Sequence, residues 1–144
     1  MTRIETELFI AVPPEKVWEV LLDFENYPKW NPFVFFADGE KAKGGKLFIK
    51  VNSPDGADKV FDFTVYINAF EESKFLAWAG KPLFPWLFAG VHYFRLEKAG
   101  EGTLFTHGET FSGFIADILK TKIIRDFPKG YAAMNVALAK RCGV

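Results

Sequence analysis

Cysteine is nearly absent from this 144-residue chain, since its single thiol, Cys142, has no partner for an internal disulfide bond. Disulfide-stapled secreted scaffolds are therefore excluded, and we expect a reducing, cytoplasmic setting. The N-terminal residues include no apolar segment of the signal-peptide kind, and no apolar run is long enough to cross a bilayer. We expect neither a leader nor stable membrane insertion.

An excess of charge of either sign is also lacking. Eighteen basic residues balance eighteen acidic ones, so the formal net charge is zero. No global electrostatic field would gather DNA, RNA or anionic lipid, and we expect no nucleic-acid partner. Glycine-rich phosphate loops, the G-x-S-x-G elbow and spaced metal-ligand motifs are missing as well, so the sequence predicts no cofactor and no metal.

Aromatic side chains are present in surplus. The chain contains 17 Phe, 4 Trp and 4 Tyr, and 49% of its residues are apolar. Its length is that of one domain, spanning 1–144, which can bury a core without disulfide or metal support. Such an aromatic excess has two interpretations, a core packed with Phe or an apolar pocket lined by Phe.

Hydrophobic periodicity predicts an α+β fold. Alternation favours strands at 3–11, 33–39, 46–52, 59–70, 74–80, 87–98 and 103–111. A short helix follows Pro14, a turn or second short helix fits between Pro28 and Pro32, and helical spacing resumes after Gly113. We expect one curved, seven-stranded antiparallel sheet and a long C-terminal helix across it, kinked or broken near Asp126–Pro128.

The last two strands are predicted to form a hairpin with a definite register. A turn near Lys98–Gly102 would pair residues whose numbers sum to about 199, placing Phe94 opposite Phe105 and His92 opposite His107. Glu109 then lies two residues along the same face. The strand at 59–70 places Phe61 and Phe63 on its inner face by the same alternation.

Several short motifs, in order over nearly the whole chain, give it a family resemblance. They are Pro14-Glu-Lys-Val-Trp18, Tyr27-Pro28-Lys29-Trp30-Asn31-Pro32-Phe33, Gly90-Val-His92-Tyr-Phe94, Thr106-His-Gly-Glu109-Thr-Phe111-Ser-Gly113 and Met134-Asn135-x-x-Leu138. The chain resembles the START-like (SRPBCC) superfamily, in particular its polyketide cyclase/dehydrase and lipid-transport-like branch. The resemblance implies a helix-grip fold like that of the birch pollen allergen. In this fold the curved sheet wraps around the C-terminal helix, and a cavity lies between them. It further implies hydrophobic ligands such as lipids, sterols or polyketides. Pro128 departs from the pattern.

Three polar residues, His92, His107 and Glu109, form the candidate chemical site. Three roles are open to them. They satisfy one another's hydrogen bonds at a cavity wall, they orient the polar end of an apolar ligand, or they act as acid and base on a polyketone. The sequence alone leaves all three open, and no oxyanion donor pair can be named for catalysis.

The sequence favours a non-catalytic binding protein, with a polyketide cyclase, aromatase or dehydratase-like enzyme as the alternative. A third hypothesis is an interaction module with a filled interior, in which the apolar loop at 81–88 is the contact surface. Under the other two hypotheses this loop is a lid over the cavity or part of the core. The sequence is compatible with either a monomer or a homodimer. The predicted ligand-binding residues are Trp18, Trp30, Phe35, Phe61, Phe63, Trp78, Phe84, Trp86, His92, Phe94, Phe105, Glu109, Met134 and Leu138.

Overall fold

A computed structural model describes all 144 residues and contains one antiparallel sheet, with short helices between its first two strands and a long helix at the C-terminus. The strands are β1 (Thr2–Ile10), β2 (Val34–Gly39), β3 (Lys46–Asn52), β4 (Val60–Glu71), β5 (Phe75–Ala79), β6 (Ala89–Ala99) and β7 (Gly102–Ser112). The helices are α1 (Pro14–Leu21), α2 (Tyr27–Trp30), α3 (Phe114–Ile118) and α4 (Lys120–Arg141), with a 3-10 turn at Phe24–Asn26. This confirms the predicted α+β class, including two short helices between the first two strands.

The sheet follows the order β1-β7-β6-β5-β4-β3-β2, so every consecutive pair from β2 to β7 is a hairpin neighbour. The first strand closes the other edge by pairing with β7. Short connections favour this antiparallel arrangement, as the turn residues predict. Strand β2 carries a register shift between Val34 and Phe36, which leaves Phe35 at a bulge.

The hairpin register differs from the predicted one by two residues. His92 lies opposite Glu109, and Phe94 lies opposite His107. The reason is the turn, which is tighter than expected: Ala99 pairs with Gly102, so only two residues form the connection. Gly100 adopts a positive φ of 62° there, a conformation that glycine takes without steric cost. Because the shift is an even number, every side chain stays on its predicted face.

The long C-terminal helix continues through Pro128, so of the two predicted alternatives near Asp126–Pro128, a kink or a break, the break is wrong. Pro128 removes one backbone hydrogen bond, but buried Ile123 and Tyr131 anchor the helix on either side of it. The interruption lies earlier, at Leu119, between α3 and α4. No helix has the length and apolarity that a membrane crossing needs.

The interior is solid at one end of α4 and hollow at the other. Met134 and Leu138, in the C-terminal half of the helix, are fully buried in the main core cluster. Phe127 and Tyr131, in the first turns and at the middle of the helix, line a cavity instead. The aromatic surplus therefore serves both purposes that the sequence left open, since some rings fill the core and others face the cavity.

Candidate functional site

An apolar cavity of about 550 Å³ lies between the sheet and the first half of α4. Strands β3 and β4 contribute Ile49, Val51 and Val65, while β5 and β7 contribute Trp78 and Phe111. Fourteen of its 22 lining residues are hydrophobic. A volume in this range is typical of sites for small apolar ligands, which are lined mostly by apolar groups with a few polar ones.

The cavity opens to solvent beside β4 and the segment at 81–88. Phe61 and Phe63 line it, yet they are 43% and 47% exposed. The segment at 81–88 forms part of the rim through Lys81, Pro82 and Phe88. Its backbone is held by the start of α3, because the amides of Phe114 and Ile115 donate to the carbonyls of Trp86 and Leu87 at 3.0 and 2.8 Å.

Five of the predicted ligand-binding residues lie in the cavity wall. Phe61 and Phe63 come from β4, Trp78 from β5, His92 from β6 and Glu109 from β7. The indole of Trp78 stacks on the imidazole of His92, with ring centroids 5.5 Å apart and planes 11° apart. These five wall residues all lie on strands, where sequence alternation placed them on the inner face.

The other predicted ligand-binding residues do not line this cavity. A group of fully or nearly buried side chains belongs to the solid core behind the cavity: Trp18, Phe94, Phe105, Met134 and Leu138. They point inward as predicted, but the sheet and α4 meet there without a gap. The remaining four lie outside the wall: Trp30, Phe35, Phe84 and Trp86.

Each of those four has a local reason for its position. Trp30 packs on Tyr27 in α2, with ring centroids 5.2 Å apart. Phe35 occupies the bulge of β2, which takes it out of the alternation. Phe84 and Trp86 pack on each other outside the rim and are 55% and 69% exposed. The apolar segment at 81–88 is thus mainly an exposed rim and not part of the core.

Sequence analysis missed several aromatic wall residues: Phe33, Phe88, Phe111, Phe127 and Tyr131. Phe33 stands just before β2, where the proline-rich turn obscures any alternation. Phe127 and Tyr131 are four residues apart on α4, a spacing that places them on one face. That spacing was the available signal, although Pro128, which favours a helix break, lies between them.

A continuous hydrogen-bonded chain of side chains runs from the cavity wall into the core. Glu109 Oε1 lies 3.1 Å from His92 Nδ1, and His92 Nε2 lies 2.6 Å from His107 Nε2. His107 Nδ1 lies 2.9 Å from Asn135 Oδ1. The amide of Asn135 donates to Thr6 Oγ1 at 2.8 Å, and that hydroxyl donates to the His107 carbonyl at 3.0 Å. The predicted trio is therefore joined, and extended by Asn135 and Thr6.

The far end of this chain fixes the direction of the bonds nearer the cavity. Because the Thr6 hydroxyl gives its proton to a carbonyl, it accepts from the Asn135 amide, which turns Asn135 Oδ1 toward His107. His107 must then carry its proton on Nδ1. Burial, together with the charge of His92, holds the pKa of the His107 imidazole well below its usual value. Its Nε2 is therefore an acceptor, and His92 donates to it.

A single proton remains to be shared between His92 Nδ1 and Glu109 Oε1. Either the pair is an imidazolium beside a carboxylate, or it is a neutral imidazole beside a protonated acid. Tyr131 supports the same oxygen, because its hydroxyl donates to Glu109 Oε1 at 2.5 Å. Burial, and then the charge of Glu109, raise the pKa of Tyr131 well above its ordinary value, so this phenol stays protonated.

The arrangement can hold and deliver one proton at an apolar surface. Both ring nitrogens of His92 are engaged, and Trp78 covers its face. Glu109 retains 20% of its side-chain exposure and is the point where the chain meets the cavity. No group of three or more His, Cys, Asp or Glu side chains is arranged to hold a metal ion.

The fold and the cavity together define a helix-grip α+β protein of the START-like superfamily, as the sequence motifs predict. The chain belongs to the polyketide cyclase / dehydrase and lipid transport family, whose model matches residues 1–143. A comparison with curated proteins finds no match. Family membership thus rests on nearly the full length of the chain.

Solved structures with the same fold include aromatase/cyclases. The Zhui aromatase/cyclase from Streptomyces sp. R1128 superposes with a TM-score of 0.77 at 16% identity, covering 99% of this chain and 93% of that one. One half of the di-domain aromatase/cyclase StfQ of steffimycin biosynthesis matches with a TM-score of 0.75 at 14% identity, covering 99% of this chain and 52% of that one. A protein from Thermus thermophilus, TTHA0849, gives a TM-score of 0.75 at 13% identity, covering 98% of this chain and 97% of that one. At these identities the likeness shows the fold alone.

Proposed function

We propose that this protein binds one hydrophobic small molecule, such as a lipid, a polyketide or another aromatic compound, in the cavity under α4. The observation that carries this proposal is the cavity itself, about 550 Å³ with a mainly hydrophobic lining. Burial of apolar ligand surface supplies roughly 25 cal/mol per Å² before the costs of association. The family description, which includes lipid transport, agrees with this role.

The wall offers a ligand several aromatic surfaces and one polar anchor. Phe33 lies against Tyr131, with ring centroids 5.3 Å apart, so both rings are held in place before a ligand arrives. Trp78 is similarly fixed by its stacking on His92. Preorganised aromatic walls reduce the conformational entropy that binding costs. The single polar cluster then sets the orientation of the ligand.

Native mass spectrometry of the freshly purified protein tests the proposal. We expect a 1:1 complex with an apolar molecule that organic extraction releases. Val65→Trp places a large ring at the cavity wall and should abolish the complex. Val136→Trp is the matched control, because Val136 is 48% exposed on α4 and does not line the cavity.

Two results would contradict the proposal. One is a protein that neither retains an apolar molecule nor binds one when it is supplied at saturating concentration. The other is a complex that persists unchanged in the Val65→Trp protein, which would place the ligand outside this cavity.

A second candidate function is a cyclase- or dehydratase-like enzyme, favoured by the shared proton at the cavity wall. Glu109 as carboxylate can take a proton from carbon between two ketones, and the same pair can return it to a leaving hydroxyl, which departs as water. The two aromatase/cyclase structures share this fold. Turnover of a poly-β-ketone by wild-type protein, lost in Glu109→Gln, would support catalysis. Equal rates in both proteins would exclude Glu109 as acid or base.

A further inference from the structure

One oxygen of the partly buried Glu109 carboxylate has no hydrogen-bond partner within the protein and is left for a ligand in the cavity. All hydrogen bonds of the Glu109 side chain fall on Oε1, which receives Tyr131 and shares a proton with His92. The other oxygen, Oε2, faces Gly90, where a Cβ atom would come within 3.0 Å of it. Gly90 and Glu109 both line the cavity. The absence of a side chain at position 90 therefore keeps Oε2 accessible.

Glu109 Oε2 is a hydrogen-bond acceptor in both protonation states of the His92–Glu109 pair. The shared proton lies between His92 Nδ1 and Glu109 Oε1, so Oε2 carries no hydrogen in either arrangement. A ligand hydroxyl can donate to it. A ligand carbonyl or ether oxygen would instead meet a second acceptor, and this is unfavourable where water is excluded.

The cavity offers no counter-charge for an anionic ligand. Its lining includes no arginine, and its one lysine, Lys81, places Nζ 4.1 Å from the centroid of the Tyr66 ring. Tyr66 alternates along β4 with inward-facing Val65, so this ammonium is drawn toward the outer face of the sheet. His92 has no free N–H, because both of its ring nitrogens are engaged. A buried carboxylate would lose hydration without compensation.

We infer that the ligand is an uncharged molecule whose inner end carries a hydroxyl or phenol group that donates to Glu109 Oε2. This inference rests on the proposed binding function and narrows it. Fatty-acid anions and ligands that present only a ketone or ether at the inner end are rejected, whereas alcohols and phenols are accepted. Tyr131 and His92 act as positioning residues, since they hold Oε1 and so aim Oε2 into the cavity.

Four probes on one ring system separate these requirements. They are naphthalene, 2-naphthol, 2-methoxynaphthalene and 2-naphthoate, measured by equilibrium dialysis at neutral pH. We expect 2-naphthol to bind about tenfold more tightly than 2-methoxynaphthalene, since a hydrogen bond to a charged or strongly polarised acceptor is gained. We expect 2-naphthoate to bind more weakly than naphthalene, because its charge must be desolvated.

Two variants test whether Glu109 Oε2 is the acceptor. Glu109→Leu removes the carboxylate, and Gly90→Ala keeps it but places a methyl group 3.0 Å from Oε2. Each should cut the advantage of 2-naphthol over 2-methoxynaphthalene to less than about twofold while naphthalene still binds. The second variant covers the case in which the first does not fold. Glu7→Leu, on the exposed side of β1, is the matched control and should keep the preference.

Four results would overturn the inference, and they differ in whether the proposed binding function survives. Equal affinity for 2-naphthol and 2-methoxynaphthalene in the wild-type protein would remove the hydroxyl requirement but leave the binding function intact. Tight binding of 2-naphthoate would reject the requirement for an uncharged ligand, and a preference that survives both variants would reject the assignment to Oε2; neither result would overturn the binding function. Saturable binding of none of the four probes would overturn the proposed function as well.

Discussion

His92 and His107 meet through their Nε2 atoms at 2.6 Å, although they are not directly opposite each other in the hairpin. Two ring nitrogens at this distance need one proton between them, so one imidazole donates and the other accepts. His107 takes the accepting role because Asn135 fixes its proton on Nδ1. A core amide on α4 thus determines how the proton at the cavity wall is held.

The first prediction concerns the stability that the hydrogen bonds among Glu109, His92, His107 and Asn135 give to the fold. His107→Phe keeps a ring stacked on Tyr131, where the centroids now lie 4.7 Å apart, but removes both nitrogens. Asn135 Oδ1 and the His92 N–H would lose their partners, at about 1–3 kcal/mol for each group left unsatisfied. We expect the free energy of unfolding to fall by ~2–6 kcal/mol in urea denaturation.

A double-mutant cycle with Asn135→Leu supplies the control for this prediction. If the two side chains act through their hydrogen bond, the double variant loses less stability than the sum of the single variants, by about 1 kcal/mol or more. Strict additivity would show that the contact between His107 and Asn135 contributes nothing of its own.

The second prediction is a loss of stability on mild acidification. Burial and the charge of His92 lower the pKa of His107 in the folded protein, whereas an unfolded histidine titrates near about 6.5. Below that pH the unfolded chain binds a proton that the folded chain does not, so the free energy of unfolding falls as the pH falls. The slope from this residue reaches at most ~1.4 kcal/mol per pH unit.

Urea denaturation at several pH values between 7.5 and 5 measures this effect. His107→Phe removes the titrating group, so its stability should fall less steeply over this range than that of the wild-type protein. Asp55 and Asp126, whose carboxyl pKa values are lowered chiefly by hydrogen bonds from Ser53 and Arg125, lose their stabilising effect only in stronger acid. Identical slopes for the two proteins would contradict the prediction.

The strands were predictable because each carries its own alternation and turn chemistry. The predicted bounds of β3 match those in the structure, and every strand lies within two residues of its expected limits. Alternation could not determine the register of β6 with β7, because a shift of two residues keeps the same side chains on the inner face. Only the conformation of Gly100 and its neighbour decides which of two equivalent pairings forms.

The candidate site was predictable in its polar centre but not in its extent. His92, His107 and Glu109 lie on adjacent strands, so sequence alternation alone brings them to one face. Asn135 and Tyr131 join them from α4, and the rotation of that helix against the sheet is a tertiary property. Whether an inward aromatic ring fills the core or faces the cavity depends on the same packing, as the pair Phe94 and Phe63 illustrates.

The third prediction compares these two rings, since both are inward-facing phenylalanines with different surroundings. Phe94 is fully buried against Trp78, His107 and Phe105, whereas Phe63 lines the cavity and is 47% exposed. Phe94→Ala should cost about 3–5 kcal/mol of unfolding free energy, because it leaves a hole in packed core. Phe63→Ala should cost less than about 1 kcal/mol but should weaken naphthalene binding.

Thermal and urea denaturation, together with equilibrium dialysis, measure both effects on the same samples. The prediction fails if Phe63→Ala destabilises as strongly as Phe94→Ala, since that would mean the space beside Phe63 is filled by protein in solution. Unchanged naphthalene affinity in Phe63→Ala would exclude its ring from the ligand contact surface.

The fourth prediction concerns the junction that holds the cavity rim. Gly113, between β7 and α3, has a φ of 101°, and a Cβ atom there would lie 2.6 Å from the Leu87 carbonyl carbon and 2.7 Å from its oxygen. Gly113→Ala therefore combines an unfavourable backbone conformation with a collision against the rim. We expect lower stability by about 1–3 kcal/mol and loss of the two hydrogen bonds that α3 donates to Trp86 and Leu87.

Hydrogen–deuterium exchange measured by mass spectrometry locates this change at the start of α3. The amides of Phe114 and Ile115, which donate to the rim, should exchange faster in Gly113→Ala, because their acceptors are pushed away. Gly44→Ala is the matched control, since Gly44 also has a positive φ, 84°, but nothing lies within 4 Å of its Cβ position. Gly44→Ala should have the same unfavourable backbone conformation but should leave the amides of α3 protected from exchange. Equal exchange rates at α3 in the two variants would contradict the prediction, because they would show that contact between position 113 and Leu87 does not hold the rim in place.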